Sequence, residues 1–154
     1  MEYLIAKWLH VLSSTLLFGT GLGSAYYMFF VSRTRDPRAV ARVVRLVVRA
    51  DWWFTTTTIV FQPLSGLYMM HLTGLPLATP WILWSFVLYF VAGACWLPVV
   101  WMQIRMRDMA ERAVREGTEL PPLYFRYFRY WTALGFPAFF ALVIVFWLMV
   151  AKPS

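Results

Sequence analysis

The chain carries little with which to do chemistry. Its 154 residues include one cysteine, Cys95, and two histidines, His10 and His71. A lone cysteine cannot close an internal disulfide, so cysteine usage says nothing about compartment. Any metal or haem chemistry has very few side chains to draw on. Charge is scarce as well: charged residues make up 14% of the chain and hydrophobic ones 61%, far more apolar than a soluble domain. Nucleotide and hydrolase signatures are missing, with no Walker, zinc-hydrolase, nucleophile-elbow or Gly-rich dinucleotide pattern. Gly19-Thr20-Gly21-Leu22-Gly23 follows no strand and lies inside an apolar run. Its Gly19 and Gly23 fit the small-residue spacing that lets helices approach, or that lets a flat macrocycle reach the backbone. No internal repeat is evident, so an inverted-repeat transporter is not suggested.

What is present is a set of four apolar runs, at about residues 4–30, 52–72, 81–102 and 130–150. Each is near or above the ~20 residues that cross a bilayer as a helix. A spanning segment must satisfy its own backbone hydrogen bonds, so the expected fold is all-α, a four-transmembrane-helix bundle forming one integral membrane domain. The ~10-residue alternating strands of a membrane barrel are not visible. The first run is too long for a cleaved signal and has no basic leader, so it is expected to be a retained helix.

The fourteen cationic residues are all arginines except Lys7 and Lys152. Arg33, Arg35, Arg38, Arg42, Arg45 and Arg49 follow the first run; Arg105, Arg107, Arg112, Arg115, Arg126 and Arg129 follow the third. Both clusters fall on one side of a four-span protein, and the positive-inside rule puts that side in the cytoplasm. Both termini and the 73–80 turn then face outward. Anionic lipid headgroups account for the clusters at ~1 kcal/mol per basic residue near the surface, and no nucleic-acid partner is needed.

The loops have order of their own. Asp36-Pro37 supplies an N-cap followed by proline at the first helical position. Val40, Val43, Val44, Leu46, Val47 and Val48 then alternate with arginines at helical spacing. This predicts an amphipathic cytoplasmic helix between spans one and two, lying on the inner leaflet with its arginines reaching the headgroups. The third helix is expected to continue past the membrane until Gly117, with Glu119-Leu120-Pro121-Pro122 as the break. Residues 124–130 form an aromatic and arginine girdle, and Trp8, Trp81, Trp84, Trp131 and Trp147 lie near span ends as interface anchors.

His10 is the best functional clue. Ionisable side chains are costly at membrane depth and usually face a bundle interior or a cofactor. On a helical wheel His10 shares its face with Lys7, Ser14, Leu17, Gly21, Ser24 and Met28. Asp51, Thr55, Thr58, Gln62, Gly66, Met69 and Thr73 form a similar face on the second span, and Gln62 is expected to hydrogen-bond across to another span. Pro63 frees a backbone carbonyl. Asp51, at the cytoplasmic edge, is expected to pair with an arginine. On the third span Ser85, Tyr89, Gly93, Trp96 and Gln103 form the inner stripe, with Trp96 able to line a cofactor cavity or fill the core. His71 is the other histidine available as a metal ligand, but it lies about 180° from Gln62 on its helix.

Lys7-Trp8-Leu9-His10-Val11-Leu12-Ser13-Ser14, Phe18-Gly19-Thr20-Gly21-Leu22-Gly23-Ser24-Ala25, Gln62-Pro63-Leu64-Ser65-Gly66 and Cys95-Trp96-Leu97-Pro98-Val99-Val100-Trp101-Met102 resemble a bacterial family of predicted integral membrane proteins known as a domain of unknown function. More distantly, a Lys-x-x-His pair opening the first span of a small four-helix protein is similar to the HemJ-type protoporphyrinogen oxidases and CopD-type membrane domains. That resemblance implies haem b held by His10. The histidine-rich third-span motif of the HemJ type is absent here. The expectation is therefore an inner-membrane protein, oligomeric as a homodimer, that holds haem b near its outer face. His10 would be the ligand, Lys7, Ser14, Gly21, Gln62 and Trp96 would surround the macrocycle, and Ser13 or Ser14 would take the second ring N–H. The role is electron transfer or an oxidase-like step. The alternative is a cofactor-free scaffold or small-solute carrier in which His10, Gln62 and Asp51 are interhelical polar contacts.

Overall fold

The computed structural model describes residues 1–153, which are helical almost throughout. The elements are α1 (Glu2–Thr34), α2 (Pro37–Ala50), a π-helical turn (Asp51–Thr55), α3 (Thr56–Thr73), α4 (Pro80–Glu116) and α5 (Pro122–Ala151). No strand occurs among the described residues. Two helices, α4 and α5, are long and apolar enough on their own to cross a membrane. α4 has 37 residues, about 55 Å at 1.5 Å per residue, well beyond a ~30 Å hydrocarbon core.

The boundaries follow from local chemistry. Asp36 caps α2 through its carboxylate, which accepts from the Arg38 backbone N–H at 2.9 Å, and Pro37 occupies the first helical position. α4 stops at Gly117, whose φ of 65° is the left-handed conformation glycine adopts without penalty. Pro122 then opens α5. Between α2 and α3 the helical path is unbroken. The Asp51 carbonyl accepts the Thr56 N–H and, at 3.0 Å, the Thr56 hydroxyl, so one residue is inserted as a π-turn instead of a loop.

Packing divides the molecule into two pairs. α1 lies along α3, α4 lies along α5, and α2 ties the pairs together by packing on both α1 and α4. The apolar core sits at the arginine-bearing end. Met28 of α1, Val40, Val44, Val47 and Val48 of α2, Met106 and Ala110 of α4 and Tyr124 of α5 meet there. Tyr124, Met28, Met106, Val40 and Val44 are fully enclosed.

This core corrects two expectations. The valine face of α2 does not rest on lipid: it is buried against α4, whose extension past the apolar run supplies the matching face. A helix that feeds straight into α3 has no freedom to lie flat on a leaflet. Of the six apolar residues on this helix from Val40 to Val48 that the spacing singled out, Leu46 alone points outward, at 62% exposure. Trp131 is likewise no interface anchor. It stacks on Phe128 inside this core, and its indole N–H has no partner among the described residues. Beside Gly19, Gly21 and Gly23 an added Cβ would meet nothing within 4 Å.

Candidate functional site

The α1–α3 seam brings the predicted polar residues together. Its buried positions are Ala6, His10, Ser13 and Leu17 on α1, and Asp51, Thr55, Thr58, Gln62 and Ser65 on the facing helix. Both series advance by alternating threes and fours, the 3.5-residue period of a supercoiled helix pair. A straight wheel therefore placed the α1 face slightly wrong. Ser13, not Ser14, lies in the seam, and Lys7 is exposed.

His10 is held from two sides. Its Nδ1 lies 2.7 Å from Ser65 Oγ. Ser65 Oγ is also 2.8 Å from the Phe61 carbonyl and 3.1 Å from the Gln62 carbonyl. A hydroxyl has one proton, and two oxygens without a proton between them repel. The Ser65 proton therefore goes to a backbone carbonyl, and Ser65 Oγ accepts Nδ1–H. This assignment leaves Nε2 as an imidazole nitrogen with a free lone pair. No hydrogen bond is made to it among the described residues. Gln62 Nε2 donates to the His10 carbonyl at 3.1 Å, pinning the same turn of α1. Gly66 lies against the ring: a Cβ there would sit 3.8 Å from His10 Cε1. Ser65 thus takes the place expected of Ser13 or Ser14. The Ser14 hydroxyl donates to the Val11 carbonyl, and Ser13 Oγ is buried without a partner.

The other candidates lie apart from this arrangement. His71 is exposed in the last turn of α3, five residues beyond Gly66 and so about 140° around the helix from the face His10 touches. Trp96 and Gly21 are half-buried. Among the described residues no three His, Cys, Asp or Glu side chains converge to hold a metal ion.

Pro63 has a visible consequence. It cannot donate to the Ile59 carbonyl four residues earlier. The Tyr89 hydroxyl of α4 reaches that carbonyl at 2.6 Å, linking the two helix pairs.

Asp51 is not paired with an arginine, contrary to expectation. Its carboxylate accepts from Thr55 Oγ1 at 2.9 Å and is hydrogen-bonded by the Gln103 side chain, while Gln103 Oε1 has no partner among the described residues. The α2 arginines project from the opposite face of the helix. Burial pushes the Asp51 carboxyl above its usual range, and the Thr55 and Gln103 hydrogen bonds only partly offset this. The sign follows. As pH rises above about 3.8 the unfolded-state carboxyl ionises while the folded one still holds its proton, so stability falls until the folded group also ionises. Asp51→Asn keeps an acceptor for Thr55 and removes the buried charge. It is expected to stabilise the protein at pH 7 by about 1–3 kcal/mol, with a smaller gain near pH 4. Thermal melts at both pH values check this; a destabilised variant at pH 7 would show that the carboxylate has a compensating cation.

A family model described as "predicted integral membrane protein (DUF2269)" matches residues 4–153. The chain belongs to this family. Its description assigns no activity. No curated protein and no solved structure matches the chain.

Proposed function

We propose that this DUF2269 protein is a four-span bacterial inner-membrane protein that binds haem b through His10 Nε2 and serves electron transfer or an oxidase-like step. The observation that carries the reading is the His10–Ser65 hydrogen bond. With the proton assigned to Nδ1, Nε2 is left free, the arrangement in which an outer partner orients a metal-bound imidazole. A lone imidazole suits a metal that brings four ligands of its own, and Gly66 leaves the ring uncrowded. Haem b would supply one-electron chemistry. The chain's residues would do the rest: Ser65 and Gln62 fix the ring and its turn. Lys7, one turn nearer the N-terminus, would face a propionate by charge. A pyridine-haemochrome assay on protein from haem-sufficient cells is expected to give about one haem b per chain. Colourless protein that also fails to take up added haemin would favour the cofactor-free scaffold or carrier.

The four spans in this reading are α1, α3, α4 and α5. α1 and α3 have the length, and His10 and Ser13 on one meet Thr58, Gln62 and Ser65 on the other across the seam. Such a pair can cross a bilayer although neither helix is uniformly apolar. The arginine-bearing end would be cytoplasmic, with both termini outside. A reporter active only in the cytoplasm is expected to stay silent when fused to the C-terminus and to signal when inserted after Gly117. The reverse pattern would overturn the orientation.

A further inference from the structure

One face of α4 changes character along its length. Phe90, Leu97 and Trp101 are exposed on it at 65%, 65% and 49%. Arg105, Arg112 and Arg115 continue the same face at intervals of three, four or seven residues. Where apolar gives way to cationic, α4 and α5 enclose a groove of about 340 Å³. Trp101 and Tyr127 form its aromatic wall, meeting edge to face with centroids 5.5 Å apart. The Arg105 guanidinium lies over the Trp101 ring at 5.5 Å.

The charge in this groove is unbalanced. Its two carboxylates are each taken by an arginine that does not line it: Glu111 by Arg45 at 2.8 Å, and Asp108 by Arg107 at 2.8 Å. Of the three arginines that do line it, Arg112 has a loose contact with Glu116 at 3.9 Å. Arg105 and Arg115 have no carboxylate partner among the described residues. The groove therefore presents uncompensated guanidinium groups next to an aromatic wall, with an exposed apolar ladder leading away from it along one helix.

We propose that this groove binds the phosphodiester of an anionic phospholipid such as phosphatidylglycerol. The phosphate sits against Arg105 beside Trp101, Arg115 adds its charge further along the same groove, and an acyl chain runs over Trp101 and Leu97 towards Phe90. Guanidinium groups match phosphate oxygens with paired donors, and an aromatic ring at the headgroup level suits the glycerol region. A free phosphate would use the arginines but not the apolar ladder, and this selects the lipid. The site rests on the four-span reading for its depth and is independent of haem.

The test is native mass spectrometry of detergent-solubilised protein titrated with phosphatidylglycerol, phosphatidylcholine or inorganic phosphate. Wild type is expected to retain one phosphatidylglycerol where phosphatidylcholine is lost. Arg105→Gln with Arg115→Gln should weaken that binding on the order of 20-fold. Arg38→Gln with Arg42→Gln removes the same charge from exposed positions of α2 and should leave it unchanged. Equal losses in both double variants would overturn the site in favour of diffuse attraction. Inorganic phosphate competing as well as the lipid would overturn the lipid assignment. Should the groove variant melt early, the folded Trp101→Phe protein gives a second reading: phosphatidylglycerol with brominated chains should quench wild-type fluorescence saturably, and the variant should lose that component. Identical quenching in both proteins would also overturn the site. None of these readouts depends on the reporter fusions or the haem assay, so failure here is distinct from failure of the functional reading.

Discussion

Replacing His10 with alanine is expected to abolish the Soret band of protein purified from haem-sufficient cells. The lost group is the one buried imidazole with a free ring nitrogen, and no second histidine lies on that face of the seam. Ser65→Ala keeps the ligand and removes its orienting acceptor, so haem affinity should fall by about 10–100-fold without complete loss. His71→Ala should leave the band in place, because His71 is exposed and turned away from the His10 face. A full Soret band in His10→Ala would sink the assignment. A lost band in His71→Ala would move the site to the end of α3.

Replacing Tyr124 with alanine is expected to cost about 3–5 kcal/mol, the range for truncating a buried aromatic. Tyr124 is fully enclosed where α1, α2, α4 and α5 meet, and its hydroxyl is 2.7 Å from Ser32 Oγ of α1. Burial pushes its phenol up to about 12, with Ser32 partly offsetting, so the group stays neutral through the physiological range. Tyr124→Phe removes only the hydrogen bond and leaves Ser32 unpaired; about 1–3 kcal/mol is expected. Thermal or denaturant unfolding in a fixed detergent measures both. A loss below 1 kcal/mol for the alanine variant would mean that the arginine-bearing core does not hold the helices together.

Helix ends were legible in the sequence because they depend on neighbours in the chain. Asp36-Pro37, Gly117 and Pro122 each mark a boundary that the structure keeps. What covers a helix face depends on residues far away, and there the sequence misled. The valine face of α2 looks the same whether lipid or protein covers it; only the length of α4 beyond its apolar run hinted at protein. The wheel error on α1 has a different origin. Ala6, His10, Ser13 and Leu17 follow a 3.5-residue period, while a straight helix at 3.6 drifts towards Lys7 and Ser14. The steps Asp51, Thr55, Thr58, Gln62 and Ser65 carry that signal openly. Read as a heptad, they would have found Ser65. Tyr89 capping the Ile59 carbonyl was half legible, since Pro63 announces the orphaned acceptor but not its donor. The absence of an arginine at Asp51 was not legible at all, because charges adjacent in sequence lie on opposite faces of α2.

The central claim is that His10 Nε2 is an iron ligand. Pulsed electron paramagnetic resonance of the ferric protein tests it most directly, in a His71→Ala background where His10 is the sole histidine. The cells are grown with ring-¹⁵N histidine so that porphyrin nitrogens stay unlabelled. The account predicts a strongly coupled histidine nitrogen whose hyperfine signal changes with the label. A haem signal untouched by the label, or protein that holds no haem iron at all, would contradict it.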